Sequence, residues 1–348
     1  MDIKVKEEYL QQAMKLHREN PVVDAHLDLA GEVLLRRQAG EREVVKRYYL
    51  SHFKRAGMKL VVSSVYVETG NLDRAWENAL GQIAALKEDI KGLDEVTLIQ
   101  TGSDLDRLLI EDKIGILIYM EGLDCIGEDV DRLNALYDLG VRGASLTWSR
   151  QNTLAVGCCK ASENRQIAGG LSEAGIRAIK RMEELSMFLD ISHLNDEGFE
   201  QVCHVAERSF IATHSGSRQI YHSYRNLTDE QIEALAGQGG VMGMNGCKCI
   251  AGSLSGNHLE MLCRHIEYET EKAGEGHVGY GFDLCDSYSR ASAALQGKSY
   301  TDRDDCLLDH SQVPLVSAAL LQRGMEPEQV KGIMGGNFIR YFQGILRQ

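Results

Sequence analysis

Eight short apolar segments recur along the chain, and most are separated by stretches whose apolar residues return every three or four positions. The segments read as strands at 22–28, 59–67, 114–120, 141–147, 187–191, 209–214, 239–245 and 277–283. Several are near-continuous Val, Ile and Leu runs, as expected of parallel strands covered on both faces. The intervening pattern is helical. In 71–91, Leu72, Trp76, Leu80, Ile83 and Leu86 follow the helical period. EAGIRAIKRMEELS precedes the fifth strand, and DEGFEQVCHVAER fills the gap between the fifth and sixth. Strand–helix alternation specifies a parallel sheet, and eight such units close it into a (β/α)8 TIM barrel.

A leading helix is expected over 1–20, with Pro21 introducing the first strand. Only three prolines and no Ser/Gly-rich linker interrupt the pattern, so residues 1–348 are expected to form one barrel domain. The least regular stretch, 284–313, leaves the eighth strand at the catalytic face; it is either a flap over the site or a surface insertion. A hydrophobic fraction of 43% supports a full core, and a formal net charge of −13 excludes a basic face for nucleic acid or anionic membrane. The N-terminus lacks the apolar core of a signal peptide, and no apolar run approaches the roughly 18 residues of a membrane span. Nine cysteines, an odd number, favour reduced thiols and a cytoplasmic location. Cys158-Cys159 and Cys247-Lys248-Cys249 lack the spacing of a zinc ribbon and read as buried structural thiols.

Five of the eight strands end in a residue that binds a metal or moves a proton. His26 and Asp28 close the first, Glu121 the third, His193 the fifth, His214 the sixth and Asp283 the eighth. Strand C-termini are where a barrel builds its active site. His26 and Asp28, two apart, point to the same side and suit one ion. Glu121 offers two carboxylate oxygens to bridge two ions, and Gly122 lets the backbone pack closely behind it. His193 and His214 can supply the second ion. Imidazole with carboxylate favours zinc, although manganese or cobalt fit the same donors. Unpaired charge at four strand ends would be too costly as mere packing. The other histidines read differently. His17 and His52 lie on helical stretches expected to be solvated, and His204, His258 and His265 have no partner pattern. His277 starts the eighth strand at the opposite, stability face; His222 and His310 stay open.

Seven segments in order, VVDAHLDL, YMEGLD, LTWSRQNTLA, DISHLNDEGF, ATHSGSR with YRNLTDEQIEALAGQGGVMGMN, HVGYGFD and RGMEPEQVKGIMGGNFIRYF, resemble the membrane (renal) dipeptidase family over residues 22 to 342. The resemblance implies two zinc ions per chain, the first on His26 and Asp28, the second on His193 and His214, with Glu121 bridging. It implies that Arg225 grips the substrate's C-terminal carboxylate, that Asp283 handles the proton of the attacking water, and that the protein is a homodimer. The implied activity is hydrolysis of dipeptides with a free C-terminal carboxylate by a metal-bridging hydroxide. Two positions depart from the family. Trp148 stands where the family has a histidine thought to polarise the substrate carbonyl, and Gly246-Cys247 stand where an aromatic contact is frequent. The alternatives are a hydrolase of another small amide, lactam or lactone, and a catalytically weak metal-binding protein.

Overall fold

The computed structural model describes residues 2–160, 163–253, 255–301 and 303–346. Parallel strands follow one another around a barrel: β1 (Val22–Leu27), β2 (Met58–Tyr66), β3 (Val96–Leu98), β4 (Ile114–Glu121), β5 (Val141–Ser145), β6 (Phe188–Asp190), β7 (Ala212–Ser215), β8 (Met242–Met244) and β9 (Val278–Tyr280). All eight expected strands are present, several of them shorter than their apolar runs. β3 is the addition. Its three residues pair with the lower half of β4, Ile114–Ile116, on the edge that β5 takes over from Ile118 upward. A three-residue strand is too short to carry a periodicity.

Strands β1, β2, β4, β5 and β6 form one ladder, and β7, β8 and β9 another. Backbone bonds from Ile191 to Ile211 and from Ile211 to Leu189, both 2.9 Å, join β6 to the entry of β7. On the far side, the Asp283 N–H donates to the His26 carbonyl at 3.2 Å, and the Phe282 N–H to Asp24 Oδ1 at 2.8 Å. These bonds close the ring and set the end of β9 beside the end of β1. Every residue of β1 and β4 is buried, which explains the apolar run from Ile114 to Met120. Three strands approach very closely at Gly281: a Cβ there would lie 1.7 Å from the Thr213 carbonyl oxygen.

Helices cover the outside, and several of them start at side-chain caps. Thr101 with Asp104, and Thr228 with Gln231, form reciprocal capping boxes for Gly102–Ile110 and Asp229–Gly237. Glu173–Glu184 buries Ala174, Ala178, Ile179 and Met182 along one stripe, as its amphipathic sequence predicts. The helix expected over 71–91 starts later, at Ala75; Leu72 falls in a 3₁₀ turn and is 38% exposed. The leading helix, Glu7–Glu19, differs from expectation in one respect. His17 is not solvated: it is 4% exposed, with Nδ1 2.6 Å from the Ala56 carbonyl and Nε2 2.7 Å from Ser317 Oγ. Two polar partners, one on each of two other helices, satisfy the buried imidazole. Among the described residues no helix is long and apolar enough to cross a membrane.

Candidate metal centre and active site

The strand ends converge on Glu121. Its Oε1 lies 2.8 Å from His193 Nε2 and 3.4 Å from His214 Nε2, while Oε2 lies 3.7 Å from His26 Nε2. The two oxygens thus face two different donor groups. Asp28 Oδ1 is 3.8 Å from His26 Nε2 and completes the second group. Two atoms each about 2.0–2.1 Å from a tetrahedral zinc lie about 3.3 Å apart, so these separations suit shared cations. Asp28 sits just past β1, and Ser64 of β2 donates a hydroxyl to it.

The far side of each imidazole is occupied. His26 Nδ1 lies 2.5 Å from the Tyr119 hydroxyl, His193 Nδ1 2.8 Å from Ser149 Oγ, and His214 Nδ1 2.7 Å from Thr213 Oγ1. With Nδ1 engaged, Nε2 is the nitrogen presented to Glu121, the arrangement that orients metal-binding histidines. His26 Nε2 is fully buried and has no hydrogen-bond partner. An orphaned buried nitrogen facing carboxylates is what a cation ligand looks like before its ion is counted.

Electrostatics agree. Burial, together with the charges of Asp28 and Asp283, pushes the Glu121 carboxyl well above its usual range against the opposing pull of His26. Burial likewise lifts Asp283 to about 7, with Asp28 adding to it. For His26 burial acts downward, but Glu121, Asp283 and Asp28 overcome it and raise the imidazole to about 10. His193 and His214 are held well below 6.5, by burial first and then by the positive charge of Arg225 and His26. They are neutral, the state that donates a lone pair. Three crowded carboxylates call for positive charge, and the residues present fit a cation pair.

The remaining candidates surround this centre. Asp283 Oδ1 is 3.6 Å from His26 Nε2, and its Oδ2 accepts from Asn245 Nδ2 at 3.1 Å. It lies three residues beyond β9 with φ 54, a left-handed conformation an aspartate tolerates at modest cost. Arg225 is buried: Nη1 donates to the Ser192 carbonyl and, at 3.2 Å, to Ser215 Oγ, while Nη2 donates to the His214 carbonyl at 2.9 Å and lies 3.1 Å from His193 Nε2. Gly122, at φ 89, brings the chain against Trp148, whose backbone nitrogen would be 3.1 Å from an added Cβ. The Trp148 ring packs on His193 at 5.6 Å and Tyr66 at 5.1 Å, with Arg150 and Lys160 near its face.

The centre opens into a pocket of 560 Å³ whose outer wall includes Tyr66, Trp148, Lys160, Tyr221 and Tyr288. Tyr288 comes from helix Asp286–Leu295, so the 284–313 stretch contributes to the site at its start; Asp302 lies outside the described residues. Further along, residues 304–306 are tied to the segment after β8: Lys248 N–H donates to the Asp304 carbonyl at 2.7 Å and Cys306 N–H to the Gly246 carbonyl at 2.8 Å. A larger hollow of 750 Å³, between Leu80, Ile83 and Leu98, carries no histidine and no comparable chemistry.

The eight residues singled out from the sequence lie together in the fold, while the groups that support them were not among the candidates. Tyr119 stands two before Glu121, and Asp24 two before His26, so the strand period could have marked both. Asp24 accepts from the His26 N–H at 3.3 Å and pairs with buried His310 Nε2 at 2.8 Å. Ser149, Thr213, Asp190 and Asn245 carry no comparable signal. His265 does have partners: it is buried, with Nδ1 accepting from the Ser217 N–H at 3.0 Å. His277 lies at the start of β9, 2.7 Å from the Gly240 carbonyl, on the face opposite the site as expected. Cys249 is exposed rather than a buried structural thiol.

Fold and site together define a (β/α)8 barrel with a polar, cation-ready centre at the C-terminal mouth of its strands. The chain belongs to the membrane dipeptidase family, peptidase family M19, whose sequence pattern matches residues 10–346. It is 26% identical to Dipeptidase 3 of Mus musculus over 96% of this chain and 66% of that protein, so it spans about two thirds of the mouse protein's length. It is 30% identical over 61% of its length to an uncharacterised protein from the pqqA 5′ region of Klebsiella pneumoniae, covering 79% of that protein. The crystal structure of a metallo peptidase from Rhodobacter sphaeroides, liganded with a phosphinate mimic of the dipeptide L-Ala-D-Ala, superposes with a TM-score of 0.80 at 23% identity, covering 94% of this chain and 98% of that one. This superposition establishes the shared fold.

Proposed function

We propose that this protein is a zinc-dependent dipeptidase acting on dipeptides with a free C-terminal carboxylate. The observation that carries the proposal is the division of Glu121, one oxygen toward His193 and His214 and the other toward His26 and Asp28. Cations held by these two groups would lower the pKa of a bound water toward about 7 and polarise a carbonyl. The chain's own groups supply the rest. Asp283, steadied by Asn245, takes the water's proton and returns it to the leaving amine. Arg225 is anchored by the Ser192 and His214 carbonyls. The N–H it directs at His193 Nε2 would be free for a substrate carboxylate if that nitrogen held a cation.

Family membership and the dipeptide mimic bound by the Rhodobacter sphaeroides neighbour support this substrate class. The aromatic wall of Trp148 and Tyr66 favours a second reading, an amide carrying a bulkier acyl group. A homodimer in a reducing, cytoplasmic setting is the accompanying proposal, and nine cysteines that are all free thiols support that compartment. A panel of L,L and L,D dipeptides, their amides and N-acyl amino acids, assayed on zinc-replete protein, tests the reading. Turnover of free dipeptides with amides rejected is expected. Preference for N-acyl amino acids would select the second reading, and turnover of neither would overturn both.

A further inference from the structure

The segment after β8 places two thiols side by side in the pocket wall. Cys247 Sγ and Cys249 Sγ are 3.2 Å apart, and both line the pocket with Cys285. Cys249 is exposed and Cys247 is buried behind it. The position is tied to the catalytic machinery by two bonds. The Cys247 N–H donates to Asn245 Oδ1 at 2.6 Å, and Asn245 Nδ2 donates to Asp283 Oδ2 at 3.1 Å. Cys125, Cys158, Cys159, Cys263 and Cys306 are buried, so none offers an exposed thiol at a pocket mouth.

We propose that Cys247 and Cys249 form an oxidisable dithiol that takes a hydroperoxide as co-reactant and closes to a disulfide at the substrate pocket. Hydrogen bonds from the Cys249 and Cys285 thiols hold the Cys247 thiol well below its usual range, which favours it as the attacking sulfur. The Cys247 thiolate attacks the hydroperoxide; an S–O bond forms, the O–O bond breaks, and the departing oxygen takes a proton and leaves as water or alcohol. Cys249 then attacks the sulfenic acid; the S–S bond forms, the S–O bond breaks, and the hydroxyl leaves as water with the Cys249 proton. Two thiols are oxidised and one peroxide is reduced.

Closure shortens the sulfur separation to about 2.05 Å and so reorients the backbone that holds Asn245. Asp283 loses its steadying bond, and hydrolysis slows. Only this last effect rests on the proposed function; formation of the disulfide does not.

The test uses the full, zinc-replete chain treated with hydrogen peroxide, followed by alkylation and peptide mapping. A Cys247–Cys249 disulfide should form before the other cysteines are consumed and reverse with dithiothreitol. In Cys249→Ser a dimedone adduct should appear at Cys247 instead. Both thiols alkylated intact while other cysteines oxidise would overturn the proposal, whatever the enzyme's substrate. The disulfide form should hydrolyse dipeptide about tenfold or more slowly, the scale for a misplaced proton-transfer group. A disulfide with undiminished turnover would overturn the coupling through Asn245.

Discussion

Thr213 Oγ1 donates its proton to Asp190 Oδ2 at 2.7 Å and itself lies 2.7 Å from His214 Nδ1. A hydroxyl has one proton, so with that proton on the carboxylate Thr213 can only accept from Nδ1–H. The tautomer of His214 is therefore set by a residue that never faces the pocket. Its Nε2 carries a lone pair and points at Glu121 Oε1, 3.4 Å away. Asp190 is itself held, accepting from Ser192 Oγ at 2.6 Å and the Thr213 N–H at 2.9 Å.

Removing this control should weaken the metal without emptying the fold. Thr213→Val keeps the volume but deletes the acceptor for Nδ1–H. Zinc affinity should fall about 10–100-fold, the usual cost of losing such an orienting partner. Competition against a chromophoric chelator measures it. Unchanged affinity would mean that Thr213 does not control the ligand.

Arg225 is predicted to act by the geometry of its fork as well as by its charge. Arg225→Ala should lower kcat/KM for a dipeptide by about 2–5 kcal/mol, the scale for truncating one partner of a buried charge pair. Arg225→Lys should recover little, because one ammonium cannot bond the Ser192 and His214 carbonyls and still serve a substrate. Full rescue by lysine would reduce the role to charge alone.

Trp148 stands where the resemblance to the dipeptidase family implies a carbonyl-polarising histidine, and an indole has one N–H donor and no cationic form. Its ring lines the pocket 5.6 Å from that of His193. Losing an oxyanion donor costs about 10²–10³ in kcat. Trp148→His should therefore raise kcat on small dipeptides by about tenfold or more with zinc content unchanged. A slower variant would identify Trp148 as a specificity element of the native substrate.

The barrel was legible because its strands are buried on both faces and candidate site residues close five of the apolar runs. The period of two put His26 and Asp28 on one side, and the apolar run of β4 ended visibly at Glu121. What stayed hidden depends on tertiary neighbours. Ser149 and Thr213 are ordinary hydroxyls until the fold sets them behind His193 and His214. His17 looked solvated because its helix is charged, and only the Ala56 carbonyl and Ser317, far away in sequence, make it a core residue. Cys247 and Cys249 carried no spacing that marks a site, and their importance comes from Asn245 and Asp283 beside them.

His17 also gives the fold a pH dependence. Burial lowers its pKa from 6.5 to about 4, partly offset by the Ala56 carbonyl. The folded state thus binds the proton less readily than the unfolded chain. The contribution is fully present above about pH 6.5 and is lost as pH falls toward 4, reaching about 2 kcal/mol by pH 5. Urea unfolding of wild type and His17→Gln at pH 7 and pH 5 isolates it. Wild type should lose about 2 kcal/mol more than the variant between those pH values. Equal losses would mean that His17 titrates normally in the fold.

The proposed hydrolysis depends on two cations sharing Glu121. The direct measurement is dipeptide turnover as zinc is titrated into protein stripped by a chelator. The stripped protein should be inactive, with turnover rising on zinc addition and levelling at about two equivalents per chain, as a two-metal site requires. Turnover that survives stripping, or that levels at a single equivalent, would contradict the shared centre.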